Sequence, residues 1–238
     1  MCGRMTQQQD PSEIARIFDA ELSPADATSL RDLGPRYNVA PTQPLTVVLQ
    51  RDEGRFVELH RWGLVPAWSE APKARSPLIN ARAETIATSP SFRTSFIRRR
   101  CIIPADGFYE WRREGKVRQP FLIRPVAGVL AFAGVWAPWR DPATGEWLLS
   151  SAVVTSAANE TVGRLHDRMP VMLGPQDWPT WLDPTIRDAG PLAALLAPTE
   201  GPDLELIPVS QLVNNANNEG PELIVPTAGC IAPLTLFR

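Results

Sequence analysis

The sequence predicts an α+β fold: a single β-rich domain with a mostly antiparallel, barrel-like or two-sheet core and a few short flanking helices. Three observations predict it. Short β-branched and aromatic runs recur along the chain, while helical patterns are few and brief. No internal repeat and no Gly/Ser linker divides the 238 residues, so one domain spanning residues 1–238 is expected. Proline, at 25 residues, is about twice its usual ~5%. A residue without an amide donor and with fixed φ belongs in loops and strand ends, so long rigid loops are expected.

The first element is a short amphipathic helix over Pro11 to Ala20. Asp10 is its N-cap, Pro11 takes the first position, Glu13 follows three residues past the cap, and Ile14, Ile17 and Phe18 share a face. Leu45 to Gln50 and Phe56 to Arg61 form a hairpin about Asp52 to Gly54. Further strands are expected at Cys101 to Pro104, Gly107 to Trp111, Gln119 to Arg124, Val129 to Trp136 and Leu148 to Thr155. Turns centred on Gly115 (Glu114 to Lys116) and spanning Pro142 to Gly145 join two pairs of these. Helices fit Ser89 to Arg98, Asn159 to Val162, Gln176 to Leu182 and Pro191 to Leu196, with Pro179 keeping the third short.

The net charge of −2 conceals an asymmetry. Residues 1–72 carry 7 basic and 10 acidic side chains, residues 73–118 carry 11 and 4, and residues 119–238 carry 6 and 12. The basic middle block is interleaved with aromatic residues in or near it: Trp62, Trp68, Phe92, Phe96, Phe108, Tyr109, Trp111, Phe121, Phe132 and Trp136. Arginines neutralise phosphates and rings stack bases, so the composition suits a single-stranded nucleic acid surface; a solvated basic loop over core aromatics fits it as well.

Cys2, Cys101 and Cys230 form neither a disulfide framework nor a CxxC or Cys/His metal pattern, so no metal site and no cofactor are expected. The polar start MCGRMTQQQD has no apolar signal region, and no apolar run approaches the ~18 residues that span a bilayer. The chain therefore reads as a cytoplasmic protein with reduced thiols and no membrane association, nucleoid-associated if bacterial, and as a monomer.

Cys2 is the most informative residue. Removal of Met1 would leave a thiol and a free α-amine on adjacent carbons. The amine has a pKa of roughly 7.7 to 8.0, so about a tenth is neutral at pH 7, against about one lysine in a few thousand. Such an aminothiol supports two chemistries: thiol attack on an acyl carbon, or trapping of an aldehyde as an imine that the thiol closes into a thiazolidine.

MCGR at 1–4, RYNVAPTQ at 36–43, WGLVPAW at 62–68, LINARAET at 78–85, CIIPADGFYEW at 101–111 and HDRMPVML at 166–173 lie in order along nearly the whole chain, which ends this series in VNNANNEGPELI. The combination resembles the SRAP family, the SOS response-associated peptidase or abasic-site processing proteins. The resemblance implies a DNA-damage protein that recognises abasic sites in single-stranded DNA, crosslinks to them through Cys2, cleaves the strand as a lyase through the Schiff base, and removes its own Met1. It implies Cys2 as nucleophile, Asn80 as a sugar-positioning group, Glu110 in acid/base chemistry and His166 as a further proton-transfer or sugar-binding group. For DNA contact it favours Arg4, Asn38, Pro41, Trp68, Arg82 and Thr155. On a strand Arg82 shares a face with Asn80, two residues away, and suits a phosphate beside the sugar.

Read from the residues alone, Asn80 fits a turn brace, Glu110 an outward strand position and His166 a solvated loop. Trp68 fits either a core tryptophan or a base-stacking wedge. Ser69 stands where the family often has a second aromatic, and the loop Glu70 to Pro77 is spaced differently. Cys101, Cys230 and His60 are assigned ordinary structural roles. Two other functions stay open on the residues: an N-terminal-nucleophile amidohydrolase or glutamine amidotransferase, and a non-catalytic single-strand binding module.

Overall fold

The computed structural model describes residues 2–72, 76–115, 117–198 and 201–227. The strands are β1 (Met5–Gln7), β2 (Glu21–Leu22), β3 (Arg36–Val39), β4 (Pro44–Arg51), β5 (Gly54–Trp62), β6 (Asn80–Arg82), β7 (Arg100–Ala105), β8 (Gly107–Glu114), β9 (Val117–Pro125), β10 (Leu130–Arg140), β11 (Trp147–Ala157), β12 (Arg168–Pro170) and β13 (Leu204–Pro208). The helices are α1 (Pro11–Ile17), α2 (Ala27–Asp32), α3 (Arg93–Arg98), α4 (Glu160–Gly163), α5 (Trp178–Leu182) and α6 (Ala189–Ala194).

One sheet runs β13-β9-β8-β1-β3 and the other β12-β11-β10-β7-β4-β5-β2, with β6 beside β11. Parallel pairing of Arg61 with Ser150 and of Trp62 with Ser151 joins β5 to β11. The strands β5-β4-β7-β10-β11 therefore close on themselves, which removes the open edges a flat sheet would present.

Each barrel strand buries both faces. Val47 and Leu49 of β4, Cys101 and Ile103 of β7 and Val153 of β11 point into one core with Cys2, Met5, Phe108 and Phe132. Val48, Ile102, Ala152 and Val154, one residue out of phase, point into a second core with Phe18, Phe96, Trp181 and Leu192 from the helical side. The strict two-residue alternation lets one strand serve both cores, and it explains runs that read as continuously apolar.

All five expected strands and the β4–β5 hairpin are present, most of them longer than their apolar runs. α1, α3 and α5 are shorter than expected, whereas α4 and α6 keep the expected length and are shifted along the chain. α1 ends at Ile17 because Asp19 takes a positive φ of 50°, and Glu13 pairs with Arg16 (2.5 Å) while the Asp10 carboxylate caps Ser12 N–H at 2.8 Å. The helix expected from Ser89 starts at Arg93, after a run of turns that contains Pro90. Asn159 lies outside α4 as its cap, accepting from Val162 N–H at 3.0 Å. The region 175–182 divides into a 3₁₀ turn and α5, and α6 begins two residues early behind the Asp188 cap. Gly115 turns the β8–β9 hairpin with φ 60°; Lys116, Lys73, Arg75 and Cys230 lie outside the described residues.

His60 is not an isolated packing residue. Its Nδ1 lies 2.7 Å from Ser151 Oγ and its Nε2 3.2 Å from Glu58 Oε2. Glu58 in turn receives Nε and Nη2 of Arg51 at 2.6 and 2.7 Å. Burial lowers the His60 pKa from 6.5 against the pull of Glu58, so the ring is neutral. Burial alone would raise Glu58, but hydrogen bonds from His60 and Arg51 prevail and hold it at about 2. Both folded pKa values lie below their unfolded ones, so both groups stabilise the fold at neutral pH and lose that contribution on acidification. Urea midpoints should fall as pH drops below ~6.5, where the unfolded His60 takes a proton that the folded state refuses, and again below ~4.5 as Glu58 titrates. His60→Gln should flatten the first of these slopes; an unchanged slope would remove His60 as its source.

No helix among the described residues is long and apolar enough to cross a membrane.

Candidate active site and nucleic-acid interface

Four segments distant in sequence meet at one end of the barrel. The N-terminal segment leads into β1, which lies between β8 and β3, and Tyr109 N–H bonds Arg4 C=O at 2.9 Å. Asn80 opens β6, opposite Val153 of β11. Glu110 lies on β8 opposite Phe121. His166 sits between α4 and β12.

Cys2 is fully buried, and the Asn80 amide donates to its carbonyl at 2.8 Å. Asn80 Oδ1 is also buried and has no partner among the described residues, an acceptor held ready beside the Cys2 backbone. Burial, reinforced by the Glu110 charge, pushes the Cys2 thiol far up, so the resting thiol keeps its proton. Glu110, only 4% exposed, has its own pKa raised by burial, and the His166 charge opposes this. Glu110 is therefore an inward-facing acid and not the outward member of an alternating strand.

His166 Nδ1 lies 2.9 Å from Arg168 N–H and 2.9 Å from Asp167 Oδ1. One nitrogen cannot accept from the first and donate to the second at once. The neutral ring accepts from Arg168 and leaves its proton on Nε2; the imidazolium donates to Asp167.

The expected DNA-contact residues divide into two groups. Trp68 is 67% exposed, and its loop is tied down by Trp139 Nε1–H bonding Ser69 C=O at 2.7 Å. Arg82 is exposed on the same side of β6 as Asn80. Pro41 is half-buried in a tight turn in which Thr42 is held at φ 73° by its N–H bond to Trp62 C=O (2.8 Å). Asn38 and Thr155, by contrast, are fully buried. Asn38 donates to the carbonyls of Asn215 (3.0 Å) and Asn218 (2.8 Å) and accepts from Arg4 Nη1 at 2.7 Å, while that nitrogen also meets Val213 C=O at 2.7 Å. Arg4 and Asn38 thus strap the 213–220 segment against the N-terminal arm and so fix Cys2. Thr155 receives Arg168, which is paired with Glu84 at 2.6 Å. Asn38 and Thr155 accordingly act behind the face, as braces.

The basic, aromatic-rich middle block is not one continuous surface. Seven of its ten aromatics are buried, Trp111 and Trp136 are half-buried, and Trp68 alone of the ten is exposed. Among the described residues, no group of three or more His, Cys, Asp and Glu side chains is arranged to hold a metal.

The model of the SOS response associated peptidase (SRAP) family matches residues 1–216. The chain belongs to the SRAP family. This SRAP protein is 38% identical over 226 residues to the abasic site processing protein YoqW of Bacillus subtilis, covering 94% of this chain and 99% of that one. It is 34% identical to the abasic site processing protein YedK of Escherichia coli, covering 95% and 100% of the two chains. It is 33% identical to the abasic site processing protein HMCES of Xenopus tropicalis, covering 86% of this chain and 68% of that one. A crystal structure of a Bacteroides thetaiotaomicron protein shares the SRAP fold with TM-score 0.83 at 24% identity, over 95% of this chain and 100% of the other.

Proposed function

We propose that this SRAP protein processes abasic sites in single-stranded DNA, trapping the ring-opened sugar aldehyde on Cys2 as a thiazolidine after Met1 is removed by its own peptidase activity. The observation that carries this reading is the meeting of Cys2, Asn80, Glu110 and His166 in one largely buried site. Relatives named for abasic site processing support it.

The buried thiol sets the order of steps. A thiol that keeps its proton is a poor first nucleophile, so the α-amine attacks the aldehyde carbon first and gives a carbinolamine. Glu110, whose pKa burial raises so that the protonated form is favoured more than in an exposed carboxyl, donates its proton to the departing hydroxyl, which leaves as water and gives the iminium. The Cys2 sulfur then bonds that carbon as its proton passes to the Glu110 carboxylate. Asn80 Oδ1 holds the amine or a sugar hydroxyl, and His166 shuttles protons beside Glu110. The iminium also acidifies the adjacent sugar C–H, so loss of that proton expels the 3′ phosphate and accounts for lyase activity. Trp68 and Arg82 stack a base and hold a phosphate.

Incubation with a single strand bearing one abasic site should give a heat-stable adduct, and an intact strand should give none; equal adducts on both would overturn the reading. The proton donor is tested by pH. Adduct formation should rise with pH as the amine loses its proton, then fall as Glu110 ionises above its raised pKa. Glu110→Gln should slow the reaction by about 10²- to 10⁴-fold and abolish the falling limb. A variant that retained that limb would exclude Glu110 as the acid.

A further inference from the structure

The far end of the barrel carries a second cluster of arginine and tryptophan. Trp147 lies six residues before Val153 on β11, on the order of 20 Å from the level of Asn80. Trp136, Pro138 and Arg140 alternate onto one face of β10, and the register sets Ser151, Leu149 and Trp147 of β11 opposite them on that face. The face opens outward. Ser151 is buried, Trp136, Pro138 and Leu149 are half-buried, and Trp147 is 67% exposed.

Cations surround it. The guanidinium of Arg51 lies 5.1 Å and that of Arg99 6.0 Å from the Trp136 ring, and Arg140 lies 5.8 Å from Trp147. Arg51 is neutralised by Glu58, but Arg99 and Arg140 have no ion pair among the described residues. Of the acidic neighbours, Asp141 turns its carboxylate into the hairpin tip, accepting from Ala143 N–H at 2.7 Å, and Glu146 is exposed next to Trp147. The exposed Trp147 ring, continuous with the half-buried Trp136, Pro138 and Leu149, offers an open π-face for stacking. An exposed ring among unneutralised arginines suits a strand whose bases are free to stack and whose phosphates are within reach.

We propose that this ribbon face is a second contact for single-stranded DNA, separate from the crosslinking site: Trp147 stacks a base, and Arg140 and Arg99 hold phosphates. It rests on the reading of single-stranded DNA as substrate and extends it to nucleotides remote from the lesion. The surface would add affinity on longer strands without touching the chemistry at Cys2.

Two readouts separate the inference from the reading beneath it. Dissociation constants for undamaged strands of about 5 and about 16 nucleotides, a range set by known single-strand site sizes, report the second contact. Adduct yield on the short abasic strand reports the first. Trp147→Ala should weaken binding of the longer strand about tenfold. Arg140→Ala should reduce the salt slope for that strand by about one. Neither should alter the adduct yield or the thermal midpoint. Wild-type affinity of both variants for the longer strand would overturn the second contact and leave the crosslinking reading intact. Absence of any adduct with the wild-type protein would instead fall on that reading.

Discussion

Cys2→Ala should form no heat-stable adduct with an abasic strand, yet should still form one that borohydride traps. The two outcomes isolate the thiol. Alanine at position 2 is small enough for the expression host's aminopeptidase to remove Met1 even where self-processing is lost, and the freed α-amine has a pKa of roughly 7.7 to 8.0, so imine formation survives. It cannot close the ring, because only the Cys2 sulfur supplies the second bond. The imine therefore hydrolyses on heating, while the thiazolidine of the wild type does not. Borohydride reduction should capture the Cys2→Ala imine within about tenfold of the wild-type yield, since Asn80 still grips the backbone carbonyl at position 2 and Arg4 still anchors the arm. Equal heat-stable bands from both proteins would remove Cys2 from the chemistry. Failure of both to trap with borohydride would remove the amine. Intact mass measured on both proteins beforehand establishes that the amine is free.

Arg100→Ala should have the largest effect on stability of any single substitution considered. Arg100 is 4% exposed and bonds no carboxylate among the described residues. Its guanidinium serves five backbone carbonyls: Trp181 at 2.6 Å, Phe96 at 3.0 Å, Ile97 at 2.7 Å, Ile186 at 3.1 Å, and Asp183. Two of these end α3 and another belongs to α5, so one fork caps two helix ends. Burial lowers the pKa of the group to about 10, with Asp183 opposing, so it remains charged at neutral pH. Truncation leaves buried acceptors unsatisfied and a cavity behind, together about 3–5 kcal/mol. For a chain of this length that is a fall in thermal midpoint of roughly 10 °C. Arg100→Lys keeps the charge but not the fork and should recover part of the loss. A midpoint within ~2 °C of the wild type for Arg100→Ala would mean that water or rearranged backbone replaces the cap.

The barrel strands are legible because their patterns are long. Leu45 to Gln50 and Leu148 to Thr155 carry enough β-branched residues to declare themselves, and the turns at Gly115 and Gly145 take the positive φ that glycine suggests. β1, β6 and β12 have three residues each, too few for any period to emerge, and tertiary pairing alone makes them strands. The aromatic block misleads because composition does not distinguish Phe108 in the core from Trp68 in solvent. Residue identity likewise conceals partnership. Asn38 is tied to residues 215 and 218, and His60 to Ser151, at separations over which no local signal runs. The motif blocks single out Cys2, Asn80, Glu110 and His166, and the fold brings all four to one end; the burial that raises the pKa of Cys2 and of Glu110 is visible only in three dimensions.

The strap that ties Arg4 to Val213 also bears on synthesis. Cys2 leaves the ribosome almost first, whereas its holding partners arrive late: Asn80, Glu110, then His166, and finally the 213–220 segment. The seam between Arg61 and Ser150 is equally long-range, so the barrel cannot close on an early fragment. A nascent or prematurely ended chain thus carries Cys2 without the acid, the amide and the anchored arm that the proposed trap requires. On the proposed mechanism, competence arrives only when nearly the whole polypeptide is available, so the trap would be set only in a folded barrel.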